Sequence, residues 1–324
     1  MAEKWQQLSV LIVGCGSIGK RHAEVLQSLG VEDIRACDQD ERARQKMPEI
    51  VGSIKLYDSY QAALSDNPDT VLICTPNHTH VPVAIQAIEA GCHVLSEKPI
   101  SESNDRIDEL SALAEKEGKK IMVALCFRYH LGILKVREHL LSGRFGRVIS
   151  IRAMMGEHLP TVRPDYKSIS CKNGAFNLTH DIDLALWMAD QPIKQVHSIF
   201  GNYSDIGIEG SDIVELIVDF ESNCAASIHL DFFQWPRHRQ LELICTQGQI
   251  AIEFASWDHC TVSTYESQEN SWQHEKIKTQ RNDMFKAENT EFLRAVAEDL
   301  PIKCTIEQAR KSLDVILAAK QYPQ

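Results

Sequence analysis

A glycine-rich turn between an apolar strand and a helix constrains this chain more than any other feature. Val10-Leu11-Ile12-Val13 runs directly into Gly14-Cys15-Gly16-Ser17-Ile18-Gly19. Gly14 permits the tight turn, Gly16 lets backbone approach a pyrophosphate, and Gly19 lets the next helix pack close to the strand, with its N-terminus facing the phosphates. Residues 17–29 carry Ile18, Val25, Leu26 and Leu29 at helical spacing, and Gly30 closes the run. The next predicted strand, 34–37, ends on Asp38, 24 positions after Gly14. A carboxylate there accepts both ribose hydroxyls and repels a 2′-phosphate. The expectation is a dinucleotide site that takes NAD in preference to NADP.

Strands and helices go on alternating through the first half. Residues 71–74, 93–95 and 121–125 read as strands, and 83–90 and 107–116 as helices. This order predicts a parallel sheet wound on both faces. The domain switch falls near residues 126–130, and from Arg147 onward the pattern is mostly two-residue alternation. Val214, Leu216, Val218 and Phe220 share one face, opposite Glu215 and Asp219, and Cys224, Ala226, Ile228, Leu230 and Phe232 repeat the pattern. Residues 239–245, 249–254 and 260–265 continue it, and helices are predicted over 175–189, 283–298 and 306–320. The predicted fold class is therefore α/β. An N-terminal Rossmann domain with a doubly wound parallel sheet spans 1–126. An α+β domain with a large, mostly antiparallel open sheet spans 127–324. The outer sheet face mixes Ile213, Ile217 and Phe233 with polar groups. Such a face suits a second copy, so a homo-dimer or homo-tetramer through the open sheet is expected.

Composition narrows the partners. The 324 residues carry a formal net charge of −11, which argues against general binding to nucleic acid or anionic membrane. Ten cysteines occur without a CxxC pair. Several, such as Cys37, Cys74 and Cys245, lie in apolar strands and read as reduced thiols. The polar start, Met1-Ala2-Glu3-Lys4, carries no leader pattern, no stretch approaches the roughly 20 apolar residues of a membrane helix, and a cytoplasmic location is expected. His78 and His80 have metal-pair spacing, but no nearby carboxylate or cysteine completes a set, so no metal is expected.

The second constraining motif is Glu97-Lys98-Pro99, directly after the short strand His93-Val94-Leu95. Lys98 is thereby placed at the carboxyl end of a strand in the nucleotide-binding sheet, the edge where ligands bind in open parallel sheets. A lysine beside a nicotinamide can steer a proton or stabilise an alkoxide.

Four stretches together resemble the Gfo/Idh/MocA family of nicotinamide-dependent oxidoreductases. They are residues 14–22, Cys74-Thr75-Pro76-Asn77-His78-Thr79-His80, residues 90–99, and residues 174–183. The resemblance implies hydride transfer at a secondary hydroxyl of a sugar, sugar derivative or cyclitol. It implies a catalytic Lys98, and His180 and Asp183 as an HxxD pattern in which the histidine accepts the proton. Gly14, Cys15, Gly16, Ser17, Ile18, Gly19, Asp38, Cys74, Thr75, Pro76, Asn77, His80, Glu97, Lys98 and Arg128 are its expected cofactor contacts. Lys98, Arg128, Arg163, Tyr166, Asn177, His180 and Asp183 are the expected substrate contacts. Two positions depart from the family pattern. Asn177 stands where relatives usually carry aspartate, and Cys126 where they often carry asparagine.

An imidazole, with an ordinary pKa near 6.5, suits a base at neutral pH, and Lys98 can hydrogen-bond the same oxygen. Arg128, His158, Arg163, Tyr166 and Lys167 surround the domain junction and the loop before Gly174, and they raise the further expectation of an anionic sugar. Two other functions compete. One is a redox-neutral enzyme that recycles tightly held NAD during glycoside cleavage or epimerisation. The other is a non-catalytic NAD-binding regulator.

Overall fold

The computed structural model describes residues 3–168 and 172–321. Packing divides the chain into two units, residues 1–126 with 282–313, and residues 127–281 with 314–324. The sequence reading assigned 282–313 to the second domain, whereas packing joins it to the first. The reason is local. The helix Arg281–Ala297 buries Met284, Phe285, Asn289, Phe292 and Leu293. Its Asn289 meets the buried His22 of the helix Ser17–Ser28, and Val123 donates to the carbonyl of Cys304.

The first unit carries a six-stranded parallel sheet. Its strands are β1 (Ser9–Val13), β2 (Asp33–Cys37), β3 (Lys55–Tyr57), β4 (Thr70–Ile73), β5 (His93–Ser96) and β6 (Ile121–Val123), ordered β3-β2-β1-β4-β5-β6. This is the doubly wound order, with its switch point between β1 and β4. Both strands are buried along their whole length, which is why they read as unbroken apolar runs. The three-residue β3, half exposed at the sheet edge, left no such run in the sequence.

The second unit carries an eight-stranded sheet. Its strands are β7 (Val148–Gly156), β8 (Ile193–Gly201), β9 (Ile213–Phe220), β10 (Cys224–Asp231), β11 (His238–Cys245), β12 (Gly248–Glu253), β13 (His259–Glu266) and β14 (Ser271–Lys278). The order is β14-β13-β12-β11-β7-β10-β9-β8, with β7 and β10 parallel and the other neighbours antiparallel. Val214, Leu216, Val218, Phe220, Cys224, Ala226, Ile228 and Leu230 are all buried, as the two-residue alternation predicted. The helix Thr179–Ala189 covers β7 and β10, and the helix Leu131–Leu141 covers β12 and β13. Almost all of β14 is exposed, so it carries no alternation to read.

The outer sheet face holds an ionic cluster on β9 and β10. His229 of β10 meets Glu215 of β9 through Nδ1 and Asp231 through Nε2, 2.9 Å. Asp231 hydrogen-bonding, against the opposing pull of burial and with help from Glu215, pushes the imidazole up to about 9. A folded pKa above the ordinary 6.5 means stabilisation that is fully present below pH 6.5 and lost as pH rises through 9. Allowing for solvent screening, its worth is about 1–2 kcal/mol. His229→Gln should abolish this loss. Urea unfolding at pH 6 and pH 10 should show the wild type losing about 1–2 kcal/mol more than the variant, and equal losses would remove the assignment.

Candidate active site

In the first unit the site grows from the switch point. Gly14 N donates to Cys37 O (2.8 Å) and Cys74 N to Val13 O (2.7 Å), so the chains leaving β1 and β4 begin side by side. Gly14 has φ +100°, and a Cβ on it would lie 2.6 Å from Cys74 O. A Cβ on Gly19 would lie 1.9 Å from Gly14 O, whereas one on Gly16 would meet nothing within 4 Å. The outer two glycines are thus demanded by the protein's own backbone. The middle one faces open space, at the N-cap of the helix Ser17–Ser28. Bare backbone, open room and a helix N-terminus with Ser17 and Ile18 in its first turn fit a dinucleotide pyrophosphate.

Asp38 reaches back to this turn. Its Oδ2 accepts from Cys15 N (2.7 Å) and its Oδ1 from Asp40 N (2.9 Å). Burial first, then Asp38, pushes the Cys15 thiol up to about 12, so the thiol stays protonated. Burial likewise raises the Cys74 thiol well above the ordinary range.

The loop after β4 holds Thr75, Pro76 and Asn77. Thr79 Oγ1 donates to Thr75 Oγ1 (2.6 Å) and lies 2.7 Å from Pro76 O. His80, buried at the start of the helix His80–Glu89, faces Pro99 O through Nδ1 (2.7 Å) and Thr75 O through Nε2 (2.8 Å). Burial lowers its pKa, and the two carbonyls oppose that shift. His80 therefore stitches the loop after β4 to the loop after β5. Glu97 and Lys98 occupy that second loop. Lys98 N donates to Glu97 Oε2 (3.1 Å), and Glu97 Oε1 meets His22 Nε2 (3.1 Å). Burial works against the Glu97 charge, but the hydrogen bond to His22, the Lys98 charge and the Lys98 N–H outweigh it and hold the carboxyl below its ordinary pKa. Glu288 is the reverse case. Both its oxygens are buried without a hydrogen-bond partner, and burial, then Glu97 and Glu291, raises its pKa well above the ordinary value.

In the second unit, the helix Thr179–Ala189 presents His180, Asp181 and Asp183. Residues two apart on a helix point about 200° away from each other, and the two acids accordingly find different partners. Arg239 Nε and Nη2 grip the two Asp181 oxygens at 2.8 Å each. Arg128 grips Asp183 at 2.9 and 2.6 Å. All four side chains are at most 7% exposed. The Phe127 ring lies 4.9 Å from the His180 ring and 3.6 Å from the Arg239 guanidinium carbon. His180 thus stands on a helix clamped by two bidentate ion pairs.

The other expected substrate residues have partners of their own. Arg163 pairs with Asp165 (3.3 Å), and Tyr166 donates to Ile206 O (3.0 Å). His158 stacks on Trp235 at 4.0 Å, and Lys167 lies over Tyr166 at 5.8 Å. Asn177 closes the turn Gly174–Asn177, anchored where Ala175 N donates to Ser211 O (2.8 Å). Among the described residues no group of three or more His, Cys, Asp or Glu could hold a metal, and no helix is long and apolar enough to cross a membrane.

His22, Asn289, Glu288, Asp181 and Arg239 were not singled out from the sequence as functional. His22 left a signal, since it falls in helical phase with Ile18 and Val25, where an apolar residue belongs. Asn289, Asp181 and Arg239 left none, because their partners lie far along the chain, and Glu288 left none, because only the fold buries it.

Residues 8–125 match the family described as "Oxidoreductase family, NAD-binding Rossmann fold", and 133–251 match the "GFO/IDH/MocA C-terminal domain". The chain is 26% identical over 191 residues to myo-inositol dehydrogenase Hyg17 of Streptomyces leeuwenhoekii, 58% of each chain. It is 32% identical over 144 residues to D-glucoside 3-dehydrogenase of Escherichia coli (strain K12), 44% of this chain and 41% of that protein. The matched stretch thus spans about half the length of these curated relatives. The structure of a levoglucosan dehydrogenase in complex with NADH and levoglucosan superposes with a TM-score of 0.86 at 18% identity, over 97% of this chain and 96% of that one.

Proposed function

This chain belongs to the GFO/IDH/MocA oxidoreductase family, and we propose that it transfers hydride between NAD and a secondary hydroxyl of a sugar, sugar derivative or cyclitol. The observation that carries the reading is Lys98, set at the carboxyl end of β5 with its backbone held by Glu97 and the next carbonyl, that of Pro99, held by His80. NAD, when bound, supplies the hydride acceptor. Gly14, Gly16 and Gly19 cradle its phosphates, and Asp38 receives the ribose and favours NAD over NADP by repelling a 2′-phosphate. His180 takes the hydroxyl proton, and Lys98 steadies the oxygen as negative charge develops on it. Asn177 cannot carry charge, so the imidazolium formed at His180 lacks the carboxylate support available in relatives with aspartate.

Arg128 is engaged with Asp183 and Arg163 with Asp165, which favours a neutral sugar or polyol over an anionic one. Met154, Ile199 and Ile217 are exposed on the open sheet, and this supports pairing of two copies there. Sedimentation showing only the monomer mass would remove that part. The nine described cysteines are buried and form no disulfide, which supports a reducing, cytoplasmic setting.

The deciding experiment mixes the protein with NAD and a panel of cyclitols, free sugars, glycosides, uronic acids and nucleotide sugars. Nicotinamide reduction by one class is the expected result. A glycoside or epimer product without net reduction would replace it with the redox-neutral reading. Cofactor binding with no product from any panel member, in either direction, would leave the regulator.

A further inference from the structure

A buried hydrogen-bonded chain links the helix Arg281–Ala297 to the backbone of Lys98. It starts at the Phe285 carbonyl, which accepts from Asn289 Nδ2 at 2.8 Å. This bond settles which way the Asn289 amide points, because the reversed amide would set two oxygens against each other. Nδ2 has a second hydrogen, and it lies 3.1 Å from His22 Nδ1, closer than Asn289 Oδ1 at 3.3 Å. His22 Nδ1 is then the acceptor, so the imidazole proton sits on Nε2 and is donated to Glu97 Oε1 at 3.1 Å. Glu97 Oε2 in turn accepts the Lys98 N–H at 3.1 Å. His22 and Asn289 are buried, and the Phe285 ring stands edge-on to the His22 ring at 5.7 Å. Glu288, one residue before Asn289, lies near enough to Glu97 to be raised by its charge, which leaves Glu97 as the carboxylate of the pair.

We propose that His22 and Asn289 are positioning residues for Lys98: the Asn289 amide selects the Nε2–H tautomer of His22, and His22 fixes the Glu97 carboxylate that holds the Lys98 backbone. Neither residue touches the reacting atoms. The catalytic meaning of the chain rests on the function proposed for Lys98, but the chain itself can be read without cofactor or substrate.

The test is nuclear magnetic resonance on the whole protein with labelled histidine and backbone nitrogen. In the wild type, His22 should show a protonated Nε2 and a bare Nδ1 at neutral pH. Asn289→Asp replaces the donor by an acceptor and should convert His22 to the doubly protonated form. Asn289→Leu should speed exchange of the Lys98 amide at least tenfold, with the amides of Val10 to Val13 unmoved as a control for folding. His22→Gln keeps an N–H donor and should restore part of the protection that His22→Leu loses. A wild-type His22 protonated on Nδ1, or a Lys98 amide unmoved in both leucine variants, would overturn the proposal. Once a substrate is in hand, Asn289→Leu should lower kcat at least tenfold with KM within threefold, and an unchanged kcat would also overturn it. Failure of the enzymatic reading shows up separately, as a Lys98→Met protein that turns over like the wild type.

Discussion

Lys98→Met lowers kcat for alcohol oxidation by about a hundredfold to ten-thousandfold, the range over which a positioned proton-handling group acts, while NAD affinity stays within threefold. Methionine keeps most of the side-chain volume and removes only the charge and the donors, so a loss reports chemistry rather than packing. NAD affinity should be spared because the proposed phosphate cradle is Gly14, Gly16 and Gly19 and the proposed ribose site is Asp38, on the chains leaving β1 and β2. His180→Gln should lose a similar factor, because the proposed proton acceptor is gone. Measured kcat within fivefold of wild type for Lys98→Met would sink the proposed role. A loss confined to KM would reassign Lys98 to substrate binding.

Asp181→Asn destabilises the second unit by about 3–5 kcal/mol, because it strands the Arg239 guanidinium in the interior without its counter-charge. The wild-type pair is bidentate at 2.8 Å on both arms, with side chains 4% and 2% exposed. For a unit of this size the melting temperature should fall on the order of 10 °C. The first unit, which makes none of these contacts, should keep its affinity for NAD. Removing both charges together, as Asp181→Leu with Arg239→Met, should recover most of the loss, since the desolvation cost then disappears from both partners. If Asp181→Asn melts with the wild type, the pair contributes little. If the double variant is worse than the single, the pair stabilises in its own right.

Much of the fold was legible because its signals are local. The runs at β1 and β4, the alternation along β9 and β10 and the glycine spacing each lie within a dozen residues and depend only on whether one or both faces of a strand are buried. The edge strands β3 and β14 escaped because exposed or half-exposed strands need no apolar pattern. The helix after residue 281 was visible as a helix, but its membership in the first unit was not. That depends on Asn289 meeting His22 across 267 positions of chain.

The candidate site divides along the same line. From residue order alone came the glycine turn, the acid after β2 and the lysine after β5, since each is defined by its place at the end of an element, whereas His180 came from the family resemblance. Tertiary structure alone assigned partners. It gave Asp183 to Arg128 and Asp181 to Arg239, Glu97 to His22, and His80 to the carbonyls of Thr75 and Pro99. A buried charge must find a counter-charge or hydrogen bonds wherever the fold brings them. Such a partner is chosen by three-dimensional proximity, which local sequence periodicity does not encode.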